Sequence, residues 1–430
     1  VLIPYSSSIW SEKMILVNEK IASHDASRRQ LLKGGVAATA YALGGSAALL
    51  QVGNAIAQTG ELAKEQLRTI GLSVTVQDRI LADFKAKSGV GKTVGTAATF
   101  PDAQTKILSG SKDFDCWETI GERLPALVMN KKVEPIAAKS LKNWANIRDT
   151  FTKPNPKFAP KAQIVGQIWA DAAQTQLNMV PTVFNYDSIG YNPSVLSAEE
   201  ANSWTALFDK KWKGKVGLNT DPLIALGQAI LAMNSLGLSD VKNPGNPNVA
   251  EVNEAMKFLI SKKKEGQFRA LWGDFGELVN LMASGEMVVS DAWQPAVMAV
   301  KAQGRPCQYA VPKEGYRAWA IGVSMIAGSP NRAAVTAYAD YWLSGPPAIA
   351  VSEQGYYSPS TNIKKVMSPE KYAFWYEGKP WVGKAERGIK EGDLRDGGAL
   401  DVRAAKVAYW HQWPDAYDHV IKKWDEFLSA

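Results

Sequence analysis

The 430-residue chain is short of the groups from which catalytic and metal sites are usually built. Histidine occurs three times, at His24, His411 and His419, and cysteine twice, at Cys116 and Cys307. His411 and His419 flank Asp415 without the spacing of a zinc site, so no metal is expected there. There is no nucleophile elbow, no phosphate loop ending in Gly-Lys-Ser or Gly-Lys-Thr, and no glycine-rich dinucleotide turn; Gly89-Val90-Gly91-Lys92 matches only a fragment of one. No catalytic residue and no cofactor are assigned, and the expectation is a protein that is not an enzyme. An exported small-molecule hydrolase stays as the enzymatic alternative, because carboxylates are plentiful and their spacing along a chain cannot show whether two of them flank a bond. The two cysteines stand 191 positions apart, which leaves a disulfide and two separate thiols both open.

Concentrated charge is missing too. Lys and Arg number 49 against 42 Asp and Glu, a net +7, but the charges are spread along the chain. The densest basic cluster, Lys262 to Lys264, closes an amphipathic segment and reads as a solvated helix end. A nucleic-acid partner is therefore not expected, since a phosphate-binding face needs converging charge. Long apolar runs are absent beyond residue 57, so the mature chain is not expected to span a membrane.

What is present begins near the N-terminus. Ser27-Arg28-Arg29-Gln30-Leu31-Leu32-Lys33 precedes an Ala- and Gly-rich apolar stretch, Gly34 to Val52, and then Ala55-Ile56-Ala57. A charged pair, a short apolar region and a small-x-small cleavage site make an export signal. The paired arginines place it in the twin-arginine class, so residues 1–57 are expected to direct the chain to the periplasm.

Beyond the signal, strands and helices alternate. Thr75 to Asp78 has the spacing of a capping box ahead of Ile80, Leu81 and Phe84, and Gly89 supplies a stop. Asp221-Pro222 and Ser329-Pro330 each offer a cap followed by a first-turn proline, predicting further helices. Short apolar runs at Val216–Leu218, Met287–Ser290 and Val323–Ile326 suit strands between them. This pattern predicts an α/β architecture whose functional groups emerge at strand ends.

Aromatic residues carry the strongest functional signal: 15 Trp, 14 Tyr and 12 Phe. Several tryptophans sit beside carboxylates, as in Asp115-Cys116-Trp117-Glu118, Trp272-Gly273-Asp274 and Asp291-Ala292-Trp293. An indole face attracts a cation and a nearby carboxylate supplies its counter-charge, so the combination suits an organic amine. Core packing accounts for any one of these tryptophans equally well.

Three segments, taken in order, resemble the periplasmic spermidine/putrescine-binding proteins, within the extracellular solute-binding proteins of ABC importers. They are Pro181 to Asn192; Ser203 to Phe208 with Trp212 to Val216; and Gly285 to Trp293 with Val311 to Gly315 and Trp319. The resemblance runs from about Leu67 to Asn362. It implies a two-lobed, type II periplasmic-binding-protein-like α/β fold with crossing hinge strands and a ligand cleft, closing to present a surface to an inner-membrane ABC permease. The expected division is residues 58–183 with 309–345 as lobe 1, 184–308 as lobe 2, and 346–430 as a C-terminal helical segment packing across both, in a monomer.

The family's aromatic wall maps to Trp293 and Trp319, with Tyr356 a later contributor, and its acidic contact at the start of a second-lobe helix maps to Asp221. Two further family carboxylates fall at Ile224 and Ile321, which leaves fewer counter-charges for a polyamine. Asp291 and Asp274 are candidate replacements, Trp117 and Tyr191 candidate contacts, and Arg317 offers a planar fork to a ligand carboxylate. The expected ligand is a small organic cation, a polyamine or a related amine, with a zwitterion such as an amino acid derivative as the alternative.

Overall fold

The computed structural model describes residues 62–430. The expected export signal, residues 1–57, lies outside the described residues.

Two sheet halves are built on one plan. In the first, β1 (Gln66–Gly71) runs parallel to both β2 (Lys92–Ala97) and β3 (Cys116–Ile120). A short β4 (Val133–Glu134) follows, and β5 (Ile136–Ala137) pairs with β6 (Gln176–Leu177) in a separate ribbon. The chain then leaves along β7 (Val180–Tyr191), the longest strand. In the second half, β8 (Val216–Asn219) lies parallel to β9 (Phe268–Trp272) and β10 (Val289–Ala292), and β11 (Gln308–Tyr309) leads back to β12 (Tyr316–Ile326). The resulting order is β2-β1-β3-β12-β7-β10-β8-β9, with β11 beside β7. Each half thus reads second, first and third strand, then the strand arriving from the other half, then the strand departing. This is the two-lobed periplasmic-binding-protein fold predicted from the sequence.

The strand β7 belongs to both halves. Its residues up to Asp187 pair with β12, while Ser188 to Tyr191 pair with β10. Every residue of β7 and β12 is buried, as expected for strands covered on both faces. Separate hydrophobic clusters fill the halves, one around Phe84, Trp319 and Trp342, the other around Trp204, Leu226 and Trp424.

Local signals fared unevenly. Asp221 caps the helix Pro222–Ser235 by accepting from the Leu223 amide at 2.9 Å, and Gly89 ends the helix Asp78–Ser88 with φ 76. The capping box at Thr75 is not formed. Its hydroxyl turns back to the Leu72 carbonyl at 3.2 Å, and the helix begins at Asp78 behind an uncapped Gln77. Ser329 likewise does not cap; it bonds Asp115 and the Asn331 amide, and the helix starts at Arg332. Burial decides both outcomes, since each hydroxyl is enclosed with a nearer partner.

The C-terminal segment returns to the junction. β13 (Val407–Trp410) pairs in parallel with Tyr316 to Ala318 of β12. The chain then passes over to the second half, where Asp415 exchanges hydrogen bonds with Asn246 and the helix Tyr417–Ser429 packs on the helix Val249–Lys264. Cys116 and Cys307 are free, buried thiols on different halves, and burial raises both, Cys307 to about 12. No helix among the described residues is long and apolar enough to cross a membrane.

Candidate functional site

The ends of β3 and β8 face one another across the junction, as strand order requires in a sheet built this way. After β3 the chain turns through Gly121-Glu122-Arg123, and after β8 it reaches Asp221. Arg123 spans the seam: one guanidinium nitrogen lies 2.9 Å from Asp221 Oδ2 and another 2.9 Å from Gln104 Oε1.

Behind this pair, the antiparallel register of β12 and β7 sets Arg317 opposite Asp187 and Trp319 opposite Asn185. Arg317 forms a buried ion pair with Asp187 and donates to His411 Nδ1 at 2.7 Å. An arginine has no acceptor, so His411 Nδ1 accepts and the neutral ring carries its proton on Nε2. Burial, with Arg317 and Arg123 adding to it, holds the His411 pKa well below its usual value. Its 3.3 Å approach to Glu122 Oε1 is therefore not an ion pair.

Charge in this seam is out of balance. Glu122, Asp187, Asp221 and Asp291 face Arg123 and Arg317, with Arg403 acting on Asp187 as well, so with all four carboxylates ionised the negative charges outnumber these guanidiniums. Burial raises Glu122 to about 7, against the opposing pull of Arg317 and Arg123. Burial likewise raises Asp291 to about 6 although Gln228, the Asn219 amide and Trp272 all donate to it, and it raises Asp187 despite Arg317. Several enclosed polar atoms also lack a hydrogen-bond partner. Glu122 Oε2, Asp187 Oδ1 and Asn185 Oδ1 are among the acceptors, and Arg123 Nε, Arg317 Nε and His411 Nε2 among the donors. Other enclosed atoms of this kind, among them Trp117 Nε1 and Trp342 Nε1, lie away from the seam.

The expected site residues divide. Trp319 and Tyr356, both in the hydrophobic cluster of the first half, meet edge to face at 5.6 Å beside Asp187, and Asp221 pairs with Arg123. Asp291 stands on the second-half side, tied by its neighbours but within the field of Arg317. Trp293 is one step removed, edge-on to Trp272 at 4.9 Å and parallel to Phe275. Three residues are not brought to the seam contacts. Trp117 packs among Ile70, Ile107 and Leu127, and Asp274 caps the helix Phe275–Ser284. Tyr191 bonds Gln308 at 2.7 Å and lines a cavity of about 860 Å3 with Lys313 and Asp396, away from the seam residues. Glu122, Arg123, Asp187, Asn185 and His411 were not singled out as ligand contacts from the sequence. A charged pair directly after an apolar strand, Glu122-Arg123, was the available signal.

The bacterial extracellular solute-binding protein family matches residues 79–375, more than half of the chain. The chain belongs to this family. As a solute-binding protein it is non-catalytic, which sets aside the hydrolase alternative, and its partners are a small organic ligand and an ABC permease. Its fold is shared by solved solute-binding proteins of low sequence identity. A putative spermidine/putrescine ABC transporter from Listeria monocytogenes superposes with a TM-score of 0.62 at 17% identity, covering 85% of this chain and 98% of that one. The PBP AgtB from A. tumefaciens R10, solved in complex with agropinic acid, gives 0.56 at 16% identity over 85% and 99%. The PBP MotA from A. tumefaciens B6, solved in complex with glucopine, gives 0.58 at 15% identity over 84% and 99%.

Proposed function

We propose that this solute-binding protein captures a small organic cation, of the polyamine or related amine class, in the seam between its lobes and delivers it to an inner-membrane ABC permease. The observation that carries the reading is the cluster of three buried carboxylates, Glu122, Asp187 and Asp291, with the half-buried Asp221, around the guanidiniums of Arg123 and Arg317, with Arg403 also acting on Asp187 and His411 neutral. A bound ammonium group would let the raised carboxylates ionise, and Trp319 and Tyr356 would supply an aromatic wall worth about 0.5–2 kcal/mol per cation contact.

The lobes are assigned as residues 58–183 with 309–345 and residues 184–308, with 346–430 lying across them, and the twin-arginine signal at 1–57 would bring the folded chain to the periplasm. Ligand contacts from both lobes favour closure only to the extent that they bind the closed state better. The Arg123 to Asp221 ion pair adds to that preference, because it forms only when the lobes meet.

A zwitterion is the second reading, favoured by the unused Nε–H groups of Arg123 and Arg317. A thermal-shift screen with polyamines, quaternary amines, amino acids and neutral sugars tests the cation reading. A cation at 100 times its Kd should stabilise the chain by about 2.7 kcal/mol. A shift with neutral sugars alone would defeat it.

A further inference from the structure

The cavity of about 860 Å3 beside Tyr191 is lined from both halves and lies apart from the seam. Tyr191 stands four positions beyond Asp187 on β7, roughly 13 Å away at ~3.3 Å per strand residue. The second half contributes Tyr191, Glu199 and Asn202, and the first half with the C-terminal segment contributes Lys157, Asp396 and Lys406. Between them runs Ala310 to Gly315, the connection by which the chain crosses from β11 to β12.

Backbone contacts tie two of the lining lysines to different halves. The Lys313 amide donates to the Asn202 carbonyl at 3.1 Å, whereas the Lys406 carbonyl accepts from the Tyr316 amide at 2.9 Å, where β12 begins. Gly315, at φ 102, permits this approach of the crossing to the C-terminal segment, since a Cβ there would stand 2.1 Å from the Lys406 carbonyl oxygen.

The charge around this space is mainly positive. Lys157 gives its ammonium to the neutral Val407 carbonyl, and among the described residues no carboxylate pairs with Lys157, Lys313 or Lys406. Of the three lining carboxylates, Glu314 is taken by the Ser203 hydroxyl and the Trp204 amide. Asp396 is answered by Lys301, the Gln294 amide, Arg403 and Arg395, none of which lines the cavity. Only Glu199 remains, one carboxylate against three ammonium groups. Gln308 spends its oxygen on the Tyr191 hydroxyl, which leaves its NH2 group as a further donor.

We infer that this cavity is a second small-molecule site, separate from the seam, which takes an anion bearing carboxylate or phosphate oxygens and holds it between Lys313 and Lys406. Contacts from ammonium groups to such oxygens are of the stronger, charge-assisted kind, and a neutral or cationic guest would leave the three lysines unanswered.

Calorimetric titration of the full chain at pH 7 and low salt with inorganic phosphate, glucose 6-phosphate, succinate and citrate tests this. At least one of the four is expected to bind one-to-one. Lys313→Gln combined with Lys406→Gln should weaken that anion ~100-fold, from ~10-fold for each charged contact. Lys210→Gln combined with Lys264→Gln makes the same charge change at exposed positions outside the cavity and should alter binding by less than 3-fold. Ala198→Trp, at an exposed lining position, should fill the space and abolish the titration with the circular dichroism spectrum unchanged. Binding by none of the four anions, equal losses in the two lysine pairs, or a full titration by the tryptophan variant would overturn the site, and none of these outcomes bears on the cation reading of the seam.

Discussion

Replacing Glu122 with Gln isolates the electrostatic strain of the seam without a ligand. In the folded chain burial lifts the Glu122 carboxyl from its ordinary 4.5 to about 7, with Asp221 adding to it and Arg317 and Arg123 opposing. A carboxyl raised by folding contributes its full relative stability below pH 4.5 and loses it as pH climbs through 7. At about 1.4 kcal/mol per pH unit the loss comes to about 3 kcal/mol. Glutamine fills the same volume and does not ionise. The variant and the parent should therefore be nearly equal in stability at pH 4.5, diverge through pH 5 to 7, and differ by about 3 kcal/mol at pH 8 in favour of the variant. Urea unfolding followed by tryptophan fluorescence at half-unit pH intervals measures this. Both proteins should retain a further decline near pH 4 to 6 from Asp291, which is raised from 3.8 to about 6. Parallel curves for parent and variant, or a parent more stable at pH 8, would refute the reasoning.

Two other perturbations separate local from interlobe effects. Asp221→Asn keeps the cap on the helix Pro222–Ser235, because asparagine caps as well as aspartate, but removes the charge facing Arg123; ligand affinity should fall ~10-fold or more with the unfolding midpoint shifted by less than about 1 kcal/mol, whereas Asp221→Ala should cost about 1 kcal/mol more in stability. Gly227→Ala should destabilise by about 1–2 kcal/mol despite alanine's better helix propensity, since its Cβ would run into the Tyr409 hydroxyl and lie 2.7 Å from its ring carbon Cζ, and combining it with Tyr409→Phe, which removes only the hydroxyl, should recover part of the loss in a denaturation series.

Much of the scaffold could be read from residue order. Alternating strands and helices gave the architecture, Asp221-Pro222 gave a real cap, and the run from Pro181 to Asn192 is the strand that passes between halves. The expected wall was Trp293 and Trp319 with Tyr356 a later contributor; Trp319 and Tyr356 stand in contact, while Trp293 packs on Trp272 and Phe275. The charged groups around them were not legible because they come from four distant stretches, near residues 122, 187, 317 and 411. Their meeting depends on the β12 register against β7 and on the late return of β13, neither of which leaves a local pattern. Strand parity explains Trp117: it and Glu118 point to opposite faces, so a tryptophan beside a carboxylate in sequence is its opposite in space. Asp274 and the hydroxyls of Thr75 and Ser329 show the converse, where a signal of the right type was absorbed by its immediate surroundings.

The backbone crosses between the halves at three places: within β7, between β11 and β12, and after β13. Two tethers side by side would permit a swivel as well as a bend, whereas a third, anchored on the outer strand of the junction and pinned beyond it by Asp415 and Asn246, resists the swivel. Opening is thereby channelled toward a single hinge-like rotation, so that whatever draws the halves apart at the membrane releases the cargo along one repeatable path.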